Sequence, residues 1–589
     1  MEMKITVKRN RSAPTRLQKP PISAPASGVL GLPSRPGFFI LVALCLVAAV
    51  FAVYAPTLNY QFVVDDHFFT SDPRVQSSGH IWGYFADYAW AEYDGGPATF
   101  YRPLFILWMR LNFILSGLSP WGWHLLSITK HAAVAVLLGL LAWKLVHDRF
   151  AALIAATLFA LQPAQVESVA WVTVPDPLMS AGVLCTVLLY FRYTRAFPEG
   201  QVKEGGSRKG GRPKKATQSS VLWLAASAAV CLLTLFAKET AILLPIVIFA
   251  LALFGPRGKP APEGPAKGRS ADRGIRLVQA LRQIIPFACV TAFYLLMRFH
   301  ALGGKLSSPT QHLPWNTVLM SWPATLWFYV KVMLWPIQSY AFADPILVEG
   351  SFVRSVLLPG LGVMCATAVL AGAIFWAWRK AGRVLPPEEA VGVQYALLLG
   401  ALLLVLPILF ALDLNALSPG NFLHGRYTYL PLAGLMLLAG AVWRLTGKYR
   451  VPLLCAAGVL GVVFAALTVS QEQQWSDDMT VLTVAHQIAP NNAPVAQAFA
   501  DARVHMAEQL DADGRYGEAL PVLEQVTGEY PQDWYAWAAL ADCFYHLNNL
   551  TEAEKALHRA AELSNKSDVL QQWQALRAEM GLPSSVLPE

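Results

Sequence analysis

Two adjacent carboxylates, Asp65 and Asp66, follow the first long apolar run in Phe62-Val63-Val64-Asp65-Asp66-His67. Such a pair suits two kinds of chemistry. Its oxygens bind a hard divalent cation such as Mg or Mn, or one carboxylate takes a proton from an acceptor hydroxyl as general base. A solvated turn has the same pattern. A second acidic set lies in Gln162-Pro163-Ala164-Gln165-Val166-Glu167, followed by Pro175-Asp176-Pro177. Pro163 ends one helix, and Glu167 is expected to open the next near its positive dipole end. Asp176 then falls roughly two and a half turns further on, or beyond a kink at Pro175. Ionisable groups beside membrane helices are expensive and are read first as functional.

The cations complete the set. Lys238-Glu239 interrupts two apolar runs, either as an interfacial anchor or as a phosphate site. Arg426-Tyr427 precedes a late apolar helix, and Arg102 in Tyr101-Arg102-Pro103-Leu104 and Arg298 are weaker sites of the same kind. Arginine suits bidentate phosphate binding, and the plain alternative is snorkelling toward lipid headgroups. External carboxylates, interfacial cations and a helix bundle that admits a lipid are what transfer from a lipid-phosphate sugar requires.

The elements that must position these residues are membrane helices. Of 589 residues, 55% are hydrophobic and 14% charged, against about 25% charged in soluble domains. Apolar runs such as Phe38 to Tyr54, Leu125 to Trp143, Leu357 to Trp376 and Val451 to Val469 approach the roughly 20 residues that span a bilayer. The net charge of +8 sits in loops between such runs. It therefore reads as topology rather than nucleic-acid binding. The seven cysteines show no metal or disulfide spacing.

The positive-inside rule places the basic arm of residues 1–36 in the cytoplasm, as the flank of a retained signal-anchor. The first external loop, residues 56–102, carries Asp65, Asp66, Asp72, Asp87, Glu92 and Asp94. Basic Gly/Pro-rich loops at 193–219 and 255–283 face the cytoplasm. About 11 crossings between residues 37 and 470 satisfy these markers, with Leu104 to Leu115 and Trp322 to Trp335 as external or interfacial helices. The odd number puts the C-terminal region on the side of Asp65 and Asp66.

Residues 471–589 read as soluble and helical. Two segments, near 500–533 and 534–567, align at the tetratricopeptide period of 34 residues. In the second, Trp537, Leu540, Ala541, Phe544, Ala553, Leu557 and Ala560 occupy the large and small positions. In the first, Met506, Ala507, Leu510, Ala519, Leu523 and Pro531 do so. Stacked repeats make a concave binding surface.

The ordered set of motifs resembles the transmembrane and tetratricopeptide repeat-containing O-mannosyltransferases and their bacterial relatives, membrane glycosyltransferases of GT-C type. It runs through Asp65-Asp66, Tyr101-Arg102-Pro103-Leu104, Pro163…Glu167…Ala170-Trp171…Asp176, Ala237-Lys238-Glu239, Leu334-Trp335-Pro336 and Arg426-Tyr427…Tyr429-Leu430-Pro431, then the repeats. The resemblance implies an all-α, GT-C-like bundle, a polyprenyl-phosphate sugar donor and an acceptor on the non-cytoplasmic side. It assigns Asp65 and Asp66 to the catalytic loop. Relatives commonly show His-Pro-x-His where this chain has Gln162-Pro163-Ala164-Gln165, Gly-Arg-Ala-Asp where it has Thr173-Val174-Pro175-Asp176, and Glu where it has Gly425. The short repeat array departs from the long animal arrays and points toward a bacterial relative, for which a bacterial inner membrane is the expected location.

The expectation is thus a glycosyltransferase with Asp65 or Asp66 as base or metal ligand. Arg102, Glu167, Asp176, Lys238, Glu239, Arg426 and Tyr427 would bind substrate. The partners would be a polyprenyl-phosphate sugar, with mannose as the candidate sugar, a protein or envelope-glycan acceptor, and membrane lipid. The competing readings are a non-catalytic membrane scaffold whose repeats recruit an envelope assembly and, behind it, a transporter, whose two halves should show internal symmetry.

Overall fold

The computed structural model describes residues 36–77, 82–91, 100–194, 214–256, 266–305, 313–337, 351–416, 423–564 and 566–583. Most of the N-terminal basic arm, Glu92 and Asp94 of the first loop, and the centres of the two basic loops lie outside the described residues.

The protein is an all-α membrane-helix bundle with a tetratricopeptide-repeat domain at its C-terminus. Residues 46–589 form one compact unit. Residues 36–45 begin the apolar helix Pro36–Tyr54. Among the described residues, seven helices are long and apolar enough to cross a membrane, or eight if the bent pair Arg149–Ala160 and Pro163–Ala170 counts as one span. The eleven expected are therefore not reached on length and composition. The shortfall has physical causes. Lys238 breaks one apolar stretch into two short helices, Val221–Ala237 and Glu239–Phe254. Asp176–Thr194 carries Asp176 and Arg192 at its ends.

The helix Trp315–Leu334 is long and apolar enough to be one of these spans. Trp322 Nε1 donates to Leu412 O at 3.0 Å and Gln162 Nε2 to Met333 O at 3.0 Å. Length and composition therefore count Trp315–Leu334 among the candidate crossings, where an external or interfacial helix was expected for Trp322 to Trp335. The turn before Asp176 also differs from the simplest expectation. Glu167 lies in a five-residue helix, Val166–Ala170, and a separate helix begins at Asp176 itself. The break spans Trp171–Pro175: Trp171 is already extended, at φ −84° and ψ 102°, and Pro175 disfavours the α conformation at Val174.

Small residues let the helices approach. A Cβ on Gly434 would sit 2.6 Å from Gly400 O, and one on Gly400 would sit 2.9 Å from Gly434 O. The helices Pro387–Val405 and Tyr429–Arg444 therefore cross with backbones in contact, as small-residue interfaces in membranes allow. At the end of the bundle away from the cavity, Asp148 caps Arg149–Ala160 by accepting from the Phe150 and Ala151 amides. Its carboxylate lies 3.8 Å from Arg444 and 3.4 Å from Arg450.

After the last apolar helix, Arg450–Glu472, come Asp478–Ile488, then the pairs Ala493–Ala512 with Tyr516–Glu529 and Trp534–His546 with Leu550–Leu563, then Ser567–Glu579. Ala507, Ala519, Leu523, Leu540, Ala541, Ala553, Leu557 and Ala560 are buried in one core. The repeat residues chosen by spacing thus form the seam between paired helices.

Candidate active site

Charged side chains that flank the apolar runs converge on one cavity of about 600 Å³. Asp65, Arg102, Asp176, Lys238, Glu239, Arg426 and Tyr427 line it, with Arg298, Asp413 and Asn415. Trp90, Phe100, Trp171, Trp315, Phe410 and Leu430 supply apolar and aromatic wall. Each charge reaches the cavity because it lies at a helix boundary. Arg102 precedes Pro103 at the start of Pro103–Ser116. Lys238 is extended, at φ −159° and ψ 137°, between Lys214–Ala237 and the turn Glu239–Leu243. Arg426 lies in the turn Gly425–Thr428 before Tyr429–Arg444.

The extended conformation at Lys238 decides the pairing. Successive side chains on extended backbone point to opposite sides, so Lys238 and Glu239 do not pair with each other. Lys238 Nζ donates to both oxygens of Asp176 at 2.7 Å. Glu239 accepts a fork from Arg102, with Nε at 2.8 Å and Nη2 at 2.6 Å. The adjacent Lys-Glu of the sequence is therefore two separate ion pairs. They tie the starts of Asp176–Thr194 and Pro103–Ser116 to one break between helices. Both members of the Lys238–Asp176 pair are buried, at 5% exposure each.

Arg426 is held from behind. Its guanidinium lies over the Trp171 ring, 4.5 Å from the centroid. Glu167 accepts from the Arg426 amide at 3.0 Å and lies 2.7 Å from His424 Nδ1. Glu167 is thus not part of the cavity wall but holds the turn that presents Arg426. Position 425 is glycine where a side chain would crowd this contact: a Cβ there would lie 3.1 Å from Glu167 Oε2. Gln162 and Gln165 are also outside the wall. Gln162 caps its own turn through the Ala164 amide at 2.7 Å, and Gln165 is buried.

Asp65 and Asp66 face opposite ways, because neighbours on a helix are about 100° apart. Asp65 is half-buried and lines the cavity. Burial pushes its carboxyl up to about 6, against the pull of Arg426 and Arg102. Asp66 is fully buried. Its Oδ1 accepts from Thr173 N at 3.1 Å and Thr173 Oγ1 at 2.7 Å, and its Oδ2 accepts from Val63 N at 3.1 Å. Burial raises Asp66 to about 7, opposed by the bonds from Thr173 and Val63. Asp66 fastens the loop to the Trp171–Asp176 segment, and Asp65 is the member of the pair that meets the cavity.

This donor set does not fit a resident divalent cation, which takes several hard oxygen ligands. The Asp66 oxygens are turned to Thr173 and Val63, and Asp176 and Glu239 are held by Lys238 and Arg102. Among the described residues, three ligating groups converge at Asp511, Asp542 and His546, in the repeat domain.

Sequence reasoning missed His424, Asp413 and Asn415. His424 directly precedes Gly425-Arg426 and was within reach of that motif. Asp413 and Asn415 follow an apolar run in a turn with no distinguishing pattern.

Residues 512–580 match a tetratricopeptide-repeat family model. Over 572 residues the chain is 26% identical to Protein O-mannosyl-transferase Tmtc1 of Drosophila melanogaster, covering 85% of this chain and 62% of that protein. It is 24% identical over 491 residues to Protein O-mannosyl-transferase TMTC3 of Mus musculus, covering 79% of this chain and 48% of that one. The chain therefore spans about half to three fifths of the length of these relatives. Among solved structures it is similar to an Archaeoglobus fulgidus oligosaccharyltransferase tethered with an acceptor peptide. The TM-score is 0.42 and the identity 13%, over 82% of this chain and 59% of that one. It is also similar to ArnT from Cupriavidus metallidurans bound to undecaprenyl phosphate, with TM-score 0.34 and 13% identity, over 88% and 80% of the two chains. The resemblance carried by the ordered motifs is matched over most of this chain's length: the chain is similar to proteins named as protein O-mannosyl-transferases.

Proposed function

We propose that the protein is a membrane glycosyltransferase that moves a sugar from a polyprenyl-phosphate donor to an acceptor hydroxyl. One observation carries the reading. Asp65, Arg102, Lys238 and Arg426, from four distant parts of the chain, line a single cavity that also has an extensive apolar wall.

Asp65 takes the proton of the acceptor hydroxyl as its oxygen attacks the anomeric carbon. The bond from that carbon to the phosphate oxygen breaks, and the polyprenyl phosphate leaves with the bonding pair. A single displacement of this kind inverts the anomeric centre. A base near neutrality is suited to the task, and burial brings Asp65 toward that range. Arg102, Lys238 and Arg426 stabilise the charge that grows on the leaving phosphate. The wall of Trp90, Phe100, Trp315 and Phe410 accommodates the sugar ring and the first isoprene units. No step uses a metal ion.

Basic loops and an acidic first loop favour a non-cytoplasmic face for the cavity, in a bacterial inner membrane. The segment that leads from the last apolar helix to the repeats packs on the cavity side, since Gln61 N donates to Ser476 O at 2.9 Å and Trp171 stacks on Trp475. On this reading the repeats receive a protein or envelope-glycan acceptor on that side. Mannose is the proposed sugar, by analogy with the relatives.

The test is transfer from polyprenyl-phosphate mannose in membranes, with mass spectrometry of glycans on external proteins and envelope lipids. Asp65→Asn, checked for normal insertion, should abolish the product. Full activity in Asp65→Asn would remove the assigned base. No change in any glycan when the protein is deleted would favour a membrane scaffold instead.

A further inference from the structure

The residue just before Asp65 has an unusual backbone. Val64, the N-cap of Asp65–Ser71, has φ +50° and ψ −116°. For a β-branched residue a positive φ is a genuine outlier. Such conformations persist only where surrounding structure over-determines them.

The surrounding structure here comes from the other end of the chain. Val64 N donates to Asp478 Oδ1 at 2.8 Å across 414 residues of sequence. His67 Nε2 lies 2.7 Å from Asp478 Oδ2. One carboxylate therefore grips the first turn of the Asp65 helix at two points. Asp478 opens the helix Asp478–Ile488, but it is not the residue that caps it. Asp477 does that, its Oδ1 accepting from the Thr480 amide at 2.8 Å. Both oxygens of Asp478 are thus directed to Val64 and His67. On the far side, Asp66 holds the same turn to Thr173. The Asp65 carboxylate is aimed by a turn clasped from both faces.

We propose that Asp478 is a positioning residue for Asp65: it fixes the left-handed turn at Val64 and thereby ties the first helix after the membrane domain to the catalytic loop. The catalytic half of this statement rests on the proposed role of Asp65. The clasp itself does not.

The test uses the full chain in lipid nanodiscs, with hydrogen–deuterium exchange over residues 62–70 and transfer from polyprenyl-phosphate mannose. Asp478→Ala should raise exchange in that segment about tenfold, the loss of one hydrogen bond to a charged group. It should lower kcat by about tenfold on the same arithmetic while the donor KM stays within about twofold. Asp478→Asn keeps a carbonyl acceptor for the Val64 amide and should restore both. Val64→Gly in the Asp478→Ala background should regain much of the loss, because glycine adopts positive φ without a steric cost. A simple tether of the repeat domain would not be rescued at position 64. Unchanged exchange at 62–70 in Asp478→Ala, or no recovery with Val64→Gly, overturns the clasp whatever the activity. Intact transfer in Asp65→Asn, with exchange behaving as stated, would instead keep the clasp and remove the proposed base.

Discussion

The Lys238–Asp176 pair offers a way to separate folding from donor binding. Both side chains are 5% exposed, and Nζ is 2.7 Å from each carboxylate oxygen. Breaking a buried pair by removing one partner costs about 3–5 kcal/mol, whereas replacing both by apolar groups of similar volume is often neutral. The two single variants should not be equal. Asp176 also feels Arg102 and Arg426, so Lys238→Met leaves it with cations nearby. Asp176→Asn leaves Lys238 facing the repulsion of Arg102, with Glu239 as the main remaining counter-charge. Asp176→Asn should therefore lie near the upper end of that range and Lys238→Met near about 3 kcal/mol. The double variant Asp176→Leu/Lys238→Met should recover most of the stability. Thermal unfolding in detergent with a thiol-reactive dye reports the folded fraction. Binding of polyprenyl-phosphate mannose, followed in the same preparations, reports the phosphate site. Recovery of stability without recovery of donor binding is the expected pattern. Two results would refute the reasoning: single variants as stable as the parent, or a double variant that binds donor normally.

Two further outcomes follow from the same geometry. In the proposed reaction Asp65 would act as a base only when ionised, and its carboxyl is raised to about 6, so kcat/KM should rise with pH through about 6 and level off above it; a rate flat from pH 5 to 8 would contradict that role. Glu167→Gln removes the charge behind Arg426 but keeps an amide oxygen for the Arg426 N–H, so donor KM should rise severalfold with kcat little changed, and an effect confined to kcat would argue that Glu167 acts elsewhere.

Much of this arrangement was legible because charge next to an apolar run has few places to go. Arg102, Asp176, Lys238 and Arg426 each stand at a point where proline or an extended residue interrupts a helix. Their convergence follows from all those interruptions lying at one end of the bundle. The pairing was not legible. Lys238-Glu239 reads as an adjacent ion pair, and only the extended backbone at Lys238 sends the two side chains to Asp176 and Arg102. The Asp65-Asp66 doublet likewise reads as a unit, yet a rotation of one helical residue gives one carboxylate to the cavity and the other to Thr173. Glu167 was grouped with the substrate-facing residues because it shares their polarity and spacing. It stands behind them because His424 and the Arg426 amide are its partners. The positive φ of Val64 had no sequence signal, since valine is the wrong residue to announce it.

The charge balance of the cavity bears on how a donor would be held. Arg102, Lys238, Arg298 and Arg426 line it, and so do Asp65, Asp176, Glu239 and Asp413, four positive groups against four negative. A cavity of bare cations would bind any phosphate, product included, and would release product slowly. Here Lys238 and Arg102 are already engaged with carboxylates through both oxygens. A sugar phosphodiester with one negative charge shares them with Asp176 and Glu239 and so gains only part of their attraction. The departing polyprenyl phosphate acquires further charge as the glycosidic bond breaks, so its attraction to the same cations grows along the reaction. Interactions that strengthen toward the transition state accelerate the chemical step, and those already complete in the ground state do not. In the proposed reaction the carboxylates that share the cations would thus serve catalysis by weakening ground-state binding. Glu239→Gln should then tighten the binding of polyprenyl phosphate product more than that of donor and slow turnover. Equal tightening of both ligands, with turnover unchanged, would show that the ion pairs only hold the helices together.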